Sequence, residues 1–246
     1  MVKIFIDFDG TITRRDVGDS LFETFGGERC TELVAEYQEE KLSAAECFRR
    51  ECAACGTVDL ARFHEFLAAQ EIDPSFSRFV QFCRQREIEH TILSDGMDAY
   101  IKPILERHGL GDVSLRANTL ELARVDGSST VRFVPSFPYQ DEVCERCACC
   151  KRNHMLASCS DDDRIVYIGE GYSDRCPARY ADIVFAKDDL LKYCQRENIS
   201  YVAYRSFDDV VDRLSSLLST NGRPDGHSIR KRHQAELARR AVFLGG

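Results

Sequence analysis

No apolar run in this chain of 246 residues approaches the ~18 residues that a membrane-spanning helix requires. The first six residues are mostly apolar, but the acidic Asp7 follows before a signal-peptide core could form. We therefore expect a cytoplasmic protein without a membrane partner.

An excess of basic charge is also missing. The sequence has 33 Lys and Arg against 41 Asp and Glu, a formal net charge of −8, which argues against nucleic acid as a partner. Residues 219–246 carry six basic and two acidic side chains, so this segment is +4 and the rest is −12. We expect it to be a solvated basic tail, because no aromatic platform accompanies its charge. We therefore expect a small-molecule partner, and a homodimer is possible from the sequence.

Twelve cysteines without an export signal favour reduced thiols over a disulfide framework. Four of them are close together: Cys144, Cys147, Cys149 and Cys150. Structural zinc sites usually use two separated cysteine pairs, so a compact loop of thiols is favoured here. A zinc site and a local disulfide remain alternatives.

Short apolar runs that are typical of buried parallel strands recur along the chain, at residues 2–6, 88–93, 165–168 and 183–186. Helical patterns lie between them, at residues 98–108, 151–158 and 188–197. This alternation predicts an α/β fold, a three-layer doubly wound parallel sheet.

Two segments interrupt the alternation. Residues 14–76 have helical stretches and no clear strand, which predicts a helical cap inserted after the first strand. Residues 118–138 alternate in polarity around a turn, which predicts a β-hairpin. We expect a Rossmann-like core at 1–13 and 77–218, the cap at 14–76 and the basic tail at 219–246.

The first strand ends in Asp7-Phe8-Asp9-Gly10-Thr11. Residues two apart on a strand point to one face, so both aspartates are expected in the crevice at the carboxyl end of the sheet. Two adjacent carboxylates repel each other, and a hard cation such as Mg²⁺ relieves that repulsion. The backbone N–H groups of Gly10 and Thr11 can cradle a phosphate.

Three later positions repeat this pattern of polar groups near strands. Ser94-Asp95-Gly96 follows the second strand and precedes a helix, a typical anion site. Lys151 opens a helix before the third strand, and Glu170 and Asp174 follow that strand. Each position alone is an ordinary turn, cap or surface residue, so their common order carries the argument.

The four motifs, in this order, resemble those of the haloacid dehalogenase superfamily of phosphatases. The resemblance implies that Asp7 is the nucleophile and Asp9 the general acid and base, with Ser94 and Lys151 also catalytic. It further implies a phosphate site (Gly10, Thr11, Ser94, Asp95, Gly96, Lys151) and an Mg²⁺ site (Asp7, Asp9, Glu170, Asp174). The family usually has Asp where Glu170 stands, so we expect altered metal affinity.

Finer features resemble the phosphoserine-phosphatase-like branch, namely the helical insert and the form of residues 169–174. Residues 94–98, the cysteine run before Lys151 and residues 185–191 are similar to the methionine-salvage phosphatases that act on 2-hydroxy-3-keto-5-methylthiopentenyl-1-phosphate. Phosphoethanolamine and phosphocholine phosphatases also carry cysteines before that lysine.

The resemblance implies an Mg²⁺-dependent phosphomonoesterase with an aspartyl-phosphate intermediate and this enol-phosphate as substrate. Phosphoserine, phosphoethanolamine and phosphocholine are the alternative substrates. Asp16 stands where phosphoserine phosphatases have a Glu that binds the substrate ammonium, and with Phe22 it is the expected substrate contact in the cap. A catalytically weakened protein that binds a phosphorylated metabolite is the alternative from another class.

Overall fold

The structure is a computed structural model that describes residues 1–125, 127–142, 144 and 146–219. The predicted basic tail, beyond residue 219, and the hairpin residue Asp126 lie outside the described residues. No helix in the described part of the chain is long and apolar enough to cross a membrane.

Strands and helices follow one another along the chain. The strands are β1 (Val2–Ile6), β2 (Val58–Asp59), β3 (Glu89–Met97), β4 (Ser114–Arg124), β5 (Thr130–Ser136), β6 (Arg164–Gly169), β7 (Ile183–Ala186) and β8 (Val202–Ala203). The helices are α1 (Val17–Gly26), α2 (Glu28–Gln38), α3 (Ala44–Cys55), α4 (Leu60–Ala68), α5 (Phe76–Gln85), α6 (Asp98–Arg107), α7 (Lys151–Ser158), α8 (Arg175–Ala178), α9 (Asp188–Arg196) and α10 (Phe207–Ser219).

The chain forms two compact units. The first comprises Met1–Asp7, Asp73–Ile92 and the described residues from Lys151 onward. Its parallel sheet has β1 between β3 and β6, followed by β7 and β8, with Ile6 aligned to Ile92 on one side and to Ile168 on the other. These three isoleucines are fully buried, which explains why the strands read as continuous apolar runs.

Two helices of the first unit, α5 and α10, pack through phenylalanines. The ring of Phe207 lies 4.8 Å from that of Phe76 and 5.1 Å from that of Phe79, measured between centroids. The Asp73 carboxylate accepts hydrogen bonds from the backbone N–H groups of Ser75 and Phe207, and so joins the starts of both helices. The sequence patterns did not predict these two helices.

The second unit comprises Phe8–Ile72 and Leu93–Cys150. It contains α1 to α4, which correspond to the helices predicted in the insert, together with α6 and the predicted hairpin of β4 and β5. The insert also contributes the short strand β2, which pairs antiparallel with β5 and which the sequence patterns missed.

The predicted α/β class with a parallel sheet is confirmed. One boundary was wrong, because β3 continues to Met97 instead of ending at Leu93. The predicted division into core and cap is a functional one and remains a prediction beside the two compact units.

Candidate active site

Asp7 ends the first of the three segments that form the first unit, and it directly follows β1. Its backbone N–H continues the ladder to β6 by donating to the carbonyl oxygen of Ile168 at 2.9 Å. Its side chain is buried, with 4% of the residue exposed. The strand therefore delivers a carboxylate to the carboxyl end of the sheet, as the sequence predicted.

Lys151, the first residue of α7, is buried beside this carboxylate. Its Nζ donates to Oδ1 of Asp7 at 2.6 Å, to Oδ1 of Asp174 at 2.7 Å and to Oγ of Ser173 at 2.9 Å. Burial lowers the pKa of Lys151, but the charges of Asp174 and Asp7 outweigh it and hold that pKa well above its usual value. We call Asp7, Lys151, Tyr167, Ser173 and Asp174 the lysine cluster.

Asp174 is fully buried, and four donors surround its carboxylate. Oδ1 accepts from Lys151 and from the hydroxyl of Tyr167, whereas Oδ2 accepts from the backbone N–H groups of Glu170 and Gly171 at 2.8 and 3.0 Å. A carboxylate has about four lone-pair sites, so these donors use all of them.

Gly169 makes this arrangement possible. A Cβ atom at this position would lie 2.5 Å from Oδ2 of Asp174 and 2.6 Å from its Cγ, closer than real Cβ contacts. The end of β6 must therefore be glycine for the Asp174 carboxylate to lie against the backbone.

Glu170 follows β6, as predicted, but its carboxyl group has no hydrogen bond or ion pair from the described residues. Burial raises the pKa of this carboxyl to about 7, and the charges of Asp174 and Asp188 add to the effect. A nearby cation would favour its ionised form.

The residues fit an Mg²⁺ ion of the kind that is held by one or two carboxylates and by phosphate oxygens. The lysine cluster has one ammonium against two carboxylates, and Glu170 adds a third acid next to Asp174. Within the described ranges, no three or more His, Cys, Asp or Glu side chains come together in a group that could hold a metal ion. An ion at this place would depend on oxygen ligands from substrate and water.

Asp9 belongs to the second unit, where four donors also surround its carboxylate. Oδ1 accepts from the backbone N–H groups of Val17 and Gly18, in the first turn of α1, at 3.1 and 3.2 Å. Oδ2 accepts from the hydroxyls of Tyr100 at 2.8 Å and Ser94 at 3.3 Å. Burial raises the pKa of Asp9 to about 6, although these hydrogen bonds oppose the shift.

The backbone N–H groups of the turn after Asp9 already have hydrogen-bond acceptors nearby in the chain. The N–H of Gly10 donates to Oγ1 of Thr13 at 3.0 Å, and that of Thr11 donates to the carbonyl oxygen of Phe8 at 3.2 Å. Gly10 has a φ of 65°, a left-handed conformation that glycine adopts without strain. A phosphate would have to compete with these bonds, so the cradle formed by Gly10 and Thr11 remains a prediction.

Ser94, Asp95 and Gly96 lie within β3, before the N-terminus of α6, so the expected helix-terminal anion site needs correction. Oγ of Ser94 accepts from the N–H of Gly96 at 2.9 Å, and Oδ1 of Asp95 accepts from the N–H of Cys149 at 2.6 Å. Asp95 therefore joins the end of β3 to the cysteine run.

The cysteine run makes these contacts through its backbone N–H groups. All twelve cysteine side chains are thiols in the structure, and Cys147, Cys149 and Cys150 are buried. The N–H of Cys150 donates to the carbonyl oxygen of Tyr139 at 2.9 Å. The compact loop of thiols stays a prediction, with a zinc site and a local disulfide as its alternatives.

The two substrate contacts predicted in the cap have structural roles. Asp16 is the N-cap of α1, and its Oδ1 accepts from the N–H of Asp19 at 2.8 Å. Phe22 is buried, and its ring lies 5.9 Å from that of Phe48. Their contact with substrate stays a prediction.

Sequence reasoning missed three hydroxyl groups at these sites: those of Tyr100, Tyr167 and Ser173. Ser173 lies inside the motif of residues 169–174, so its place was available from the sequence. Tyr100 lies in the helix α6 and Tyr167 in the strand β6. The sequence patterns of both elements indicate only apolar packing, so both tyrosines were expected to be core residues.

Comparisons with known proteins show which proteins this chain is similar to. A family model described as Putative Phosphatase matches residues 2–200. Proteins of Bacillus cereus strains AH187 and B4264, both named 2-hydroxy-3-keto-5-methylthiopentenyl-1-phosphate phosphatase, are 30% identical over 220 residues and 29% identical over 222 residues, covering 88% of this chain and 97% of each relative.

Solved structures resemble the fold. A phospho-aspartyl intermediate analogue of phosphoserine phosphatase superposes with a TM-score of 0.64 at 17% identity, covering 86% of this chain and 97% of that one. Phosphoserine phosphatase from T. onnurineus superposes with a TM-score of 0.62, also at 17% identity, covering 86% of this chain and 92% of that one.

Proposed function

Since this chain belongs to that phosphatase family and is a phosphatase of the haloacid dehalogenase type, we propose that it hydrolyses a small phosphate monoester through an aspartyl-phosphate at Asp7. One observation carries the mechanism: a buried lysine donates to Oδ1 of Asp7 at 2.6 Å. This contact places a positive charge beside the carboxylate and fixes its orientation, which favours its role as a nucleophile.

The reaction has two steps. An oxygen of Asp7 attacks the phosphorus, the bond to the leaving oxygen breaks, and the Asp9 carboxyl gives its proton to that oxygen. Asp9 then takes a proton from water, whose oxygen attacks the phosphorus and releases Asp7 and inorganic phosphate. A pKa of about 6 for Asp9 suits both the acid and the base role near neutral pH.

Lys151 supports the first step by placing an ammonium group beside Asp7, and Ser173 helps to hold that group by accepting a hydrogen bond from it. The charge that gathers on the phosphoryl oxygens faces an ammonium group that is already fixed by Asp174. Donors that are held in place before the reaction cost no reorganisation when the charge develops. Ser94 supplies a hydroxyl for the same oxygens.

Mg²⁺, when bound, supplies positive charge against the phosphate oxygens. Of the four acids expected from the sequence, Asp7 and Glu170 are the better candidates to hold it. The carboxylates of Asp9 and Asp174 already have four donors each, which makes direct coordination by their side chains less favourable.

For the substrate we propose 2-hydroxy-3-keto-5-methylthiopentenyl-1-phosphate, because the Bacillus relatives that carry this name match 88% of the chain. Phosphoserine, phosphoethanolamine and phosphocholine are the alternatives. A cytoplasmic location and a homodimer remain proposals.

The test is phosphate release from a panel of these four esters, with Mg²⁺ and with EDTA, by the purified chain and its Asp7→Asn variant. We expect turnover that requires Mg²⁺ and falls by ~10³-fold or more in the variant, since an amide cannot attack phosphorus. A folded chain without turnover on any ester would favour the alternative of a binding protein.

A further inference from the structure

The hydroxyl of Tyr100 lies where three segments of the second unit meet. It donates to Oδ2 of Asp9 at 2.8 Å. A Cβ atom on Gly96 would lie 1.8 Å from this hydroxyl, and one on Gly18 would lie 3.1 Å from it. Glycines on β3 and on α1 thus leave the space in which the phenol reaches Asp9.

The ring of Tyr100 is fully buried, and its centroid lies 6.3 Å from that of Phe8. A buried phenol needs a partner, and Asp9 supplies it.

The two oxygens of Asp9 are not equivalent. Oδ1 is held by two backbone N–H groups at the start of α1. Oδ2 has a short contact to Tyr100 and a long one, 3.3 Å, to Ser94. The lone pair that faces Ser94 has the weakest partner, so it is the one on Oδ2 that another group can most readily approach.

We propose that Tyr100 is a positioning residue for acid–base catalysis by Asp9. Its hydroxyl fixes Oδ2, so that the lone pair facing Ser94 is presented to the leaving oxygen. This inference rests on the proposed function, because it assigns to Asp9 the transfer of a proton to the leaving group.

The experiment uses two esters of similar shape that differ in their need for an acid. p-Nitrophenyl phosphate releases a stable phenolate, whereas phenyl phosphate depends more on protonation. Both are measured as kcat/KM, with Mg²⁺, for the wild type and for Tyr100→Phe, Asp9→Asn and Tyr139→Phe. Tyr139 is partly exposed in the same unit and serves as the matched control.

For Tyr100→Phe we expect kcat/KM to fall by ~10-fold or more for phenyl phosphate and by less than ~3-fold for p-nitrophenyl phosphate. We call this unequal loss of kcat/KM on the two esters the split. Asp9→Asn should show the split with a larger difference between the esters, and Tyr139→Phe should change neither value. A merely structural role of Tyr100 would lower both values equally.

Equal losses on both esters, or no loss, in Tyr100→Phe would overturn the inference while Asp9→Asn still shows the split. If Asp9→Asn shows no split, the acid role in the proposed function is wrong, which is a distinct failure. Should Tyr100→Phe not fold, Gly18→Ala replaces it, because its methyl group presses on the same hydroxyl. It must show the same split for the inference to stand.

Discussion

Lys151 and Asp174 form a buried ion pair in which Nζ lies 2.7 Å from Oδ1 and both side chains are at most 1% exposed. Removing one partner of such a pair leaves an uncompensated buried charge. Asp174 thus holds the ammonium group that the Asp7 carboxylate contacts. The charge balance of the lysine cluster supports both folding and the proposed chemistry.

Replacing Lys151 tests this balance. We expect Lys151→Met to lower the free energy of unfolding by about 3–5 kcal/mol, because Asp7 and Asp174 lose their shared cation. Urea unfolding measures the change. The double variant Lys151→Met, Asp174→Asn should lose less than the sum of the two single variants, and additive losses would show that the pair is not coupled.

Gly169 and Gly171 offer a matched pair of substitutions. Gly169→Ala should displace the Asp174 carboxylate and lower both stability and kcat, because its methyl group would collide with Oδ2. Gly171→Ala should change neither by much, since a Cβ there meets nothing within 4 Å and the N–H group that binds Asp174 is kept. Similar thermal unfolding and turnover for the two variants would contradict the close approach at Gly169.

The buried carboxyl group of Glu51 should make the stability of the folded state depend on pH. It is 2% exposed, and its Oε1 has no hydrogen-bond partner among the described residues. Burial raises the pKa of this carboxyl to about 8 from an ordinary 4.5, and the charge of Asp19 contributes. The folded state therefore keeps a proton that the unfolded state loses, and the stability from this group is lost as pH rises from about 4.5 through about 8.

We expect Glu51→Gln to reduce the fall of Tm between pH 5 and pH 8, because the amide does not ionise. Glu46→Gln, on the same helix α3 but in exposed ion pairs with Arg49 and Arg50, is the control and should keep the wild-type slope. Identical slopes for the wild type and Glu51→Gln would show that Glu51 ionises normally.

The sequence was sufficient to predict that Asp7 and Asp174 lie close together, because the carboxyl ends of neighbouring parallel strands meet at one edge of a sheet. Asp7, Lys151 and Asp174 come together as expected. It could not predict that Ser94 stays within a strand, since the residues that extend β3 to Met97 have the composition of a turn.

The direction in which a side chain points is a second feature that the sequence could not predict. Tyr100 and Tyr167 read as apolar core, and only the three-dimensional packing shows that each hydroxyl reaches a carboxylate. Phe22 illustrates the reverse case, because its helical spacing fits both a pocket and a core and the structure buries it beside Phe48.

Substrate choice gives a further prediction. Recognition of an ammonium group needs an available carboxylate, and Asp16 uses its own as the N-cap of α1. We expect kcat/KM for the enol-phosphate to exceed that for phosphoserine by at least ~10-fold, about 1.4 kcal/mol of transition-state binding. Asp16→Asn keeps the cap and should leave this ratio nearly unchanged. A preference for phosphoserine or phosphoethanolamine would contradict the substrate assignment.

Trapping the intermediate tests the central claim most directly. Asp9→Asn should form the phosphoenzyme from radiolabelled p-nitrophenyl phosphate, since this leaving group needs little protonation, and should hydrolyse it slowly without its base. After an acid quench, we predict about one hydroxylamine-labile phosphate per chain, located at Asp7 by peptide mapping and missing from the Asp7→Asn, Asp9→Asn double variant. Turnover by the wild type without any trapped label, or label on a cysteine or another acid, would contradict the assignment of Asp7 as the nucleophile.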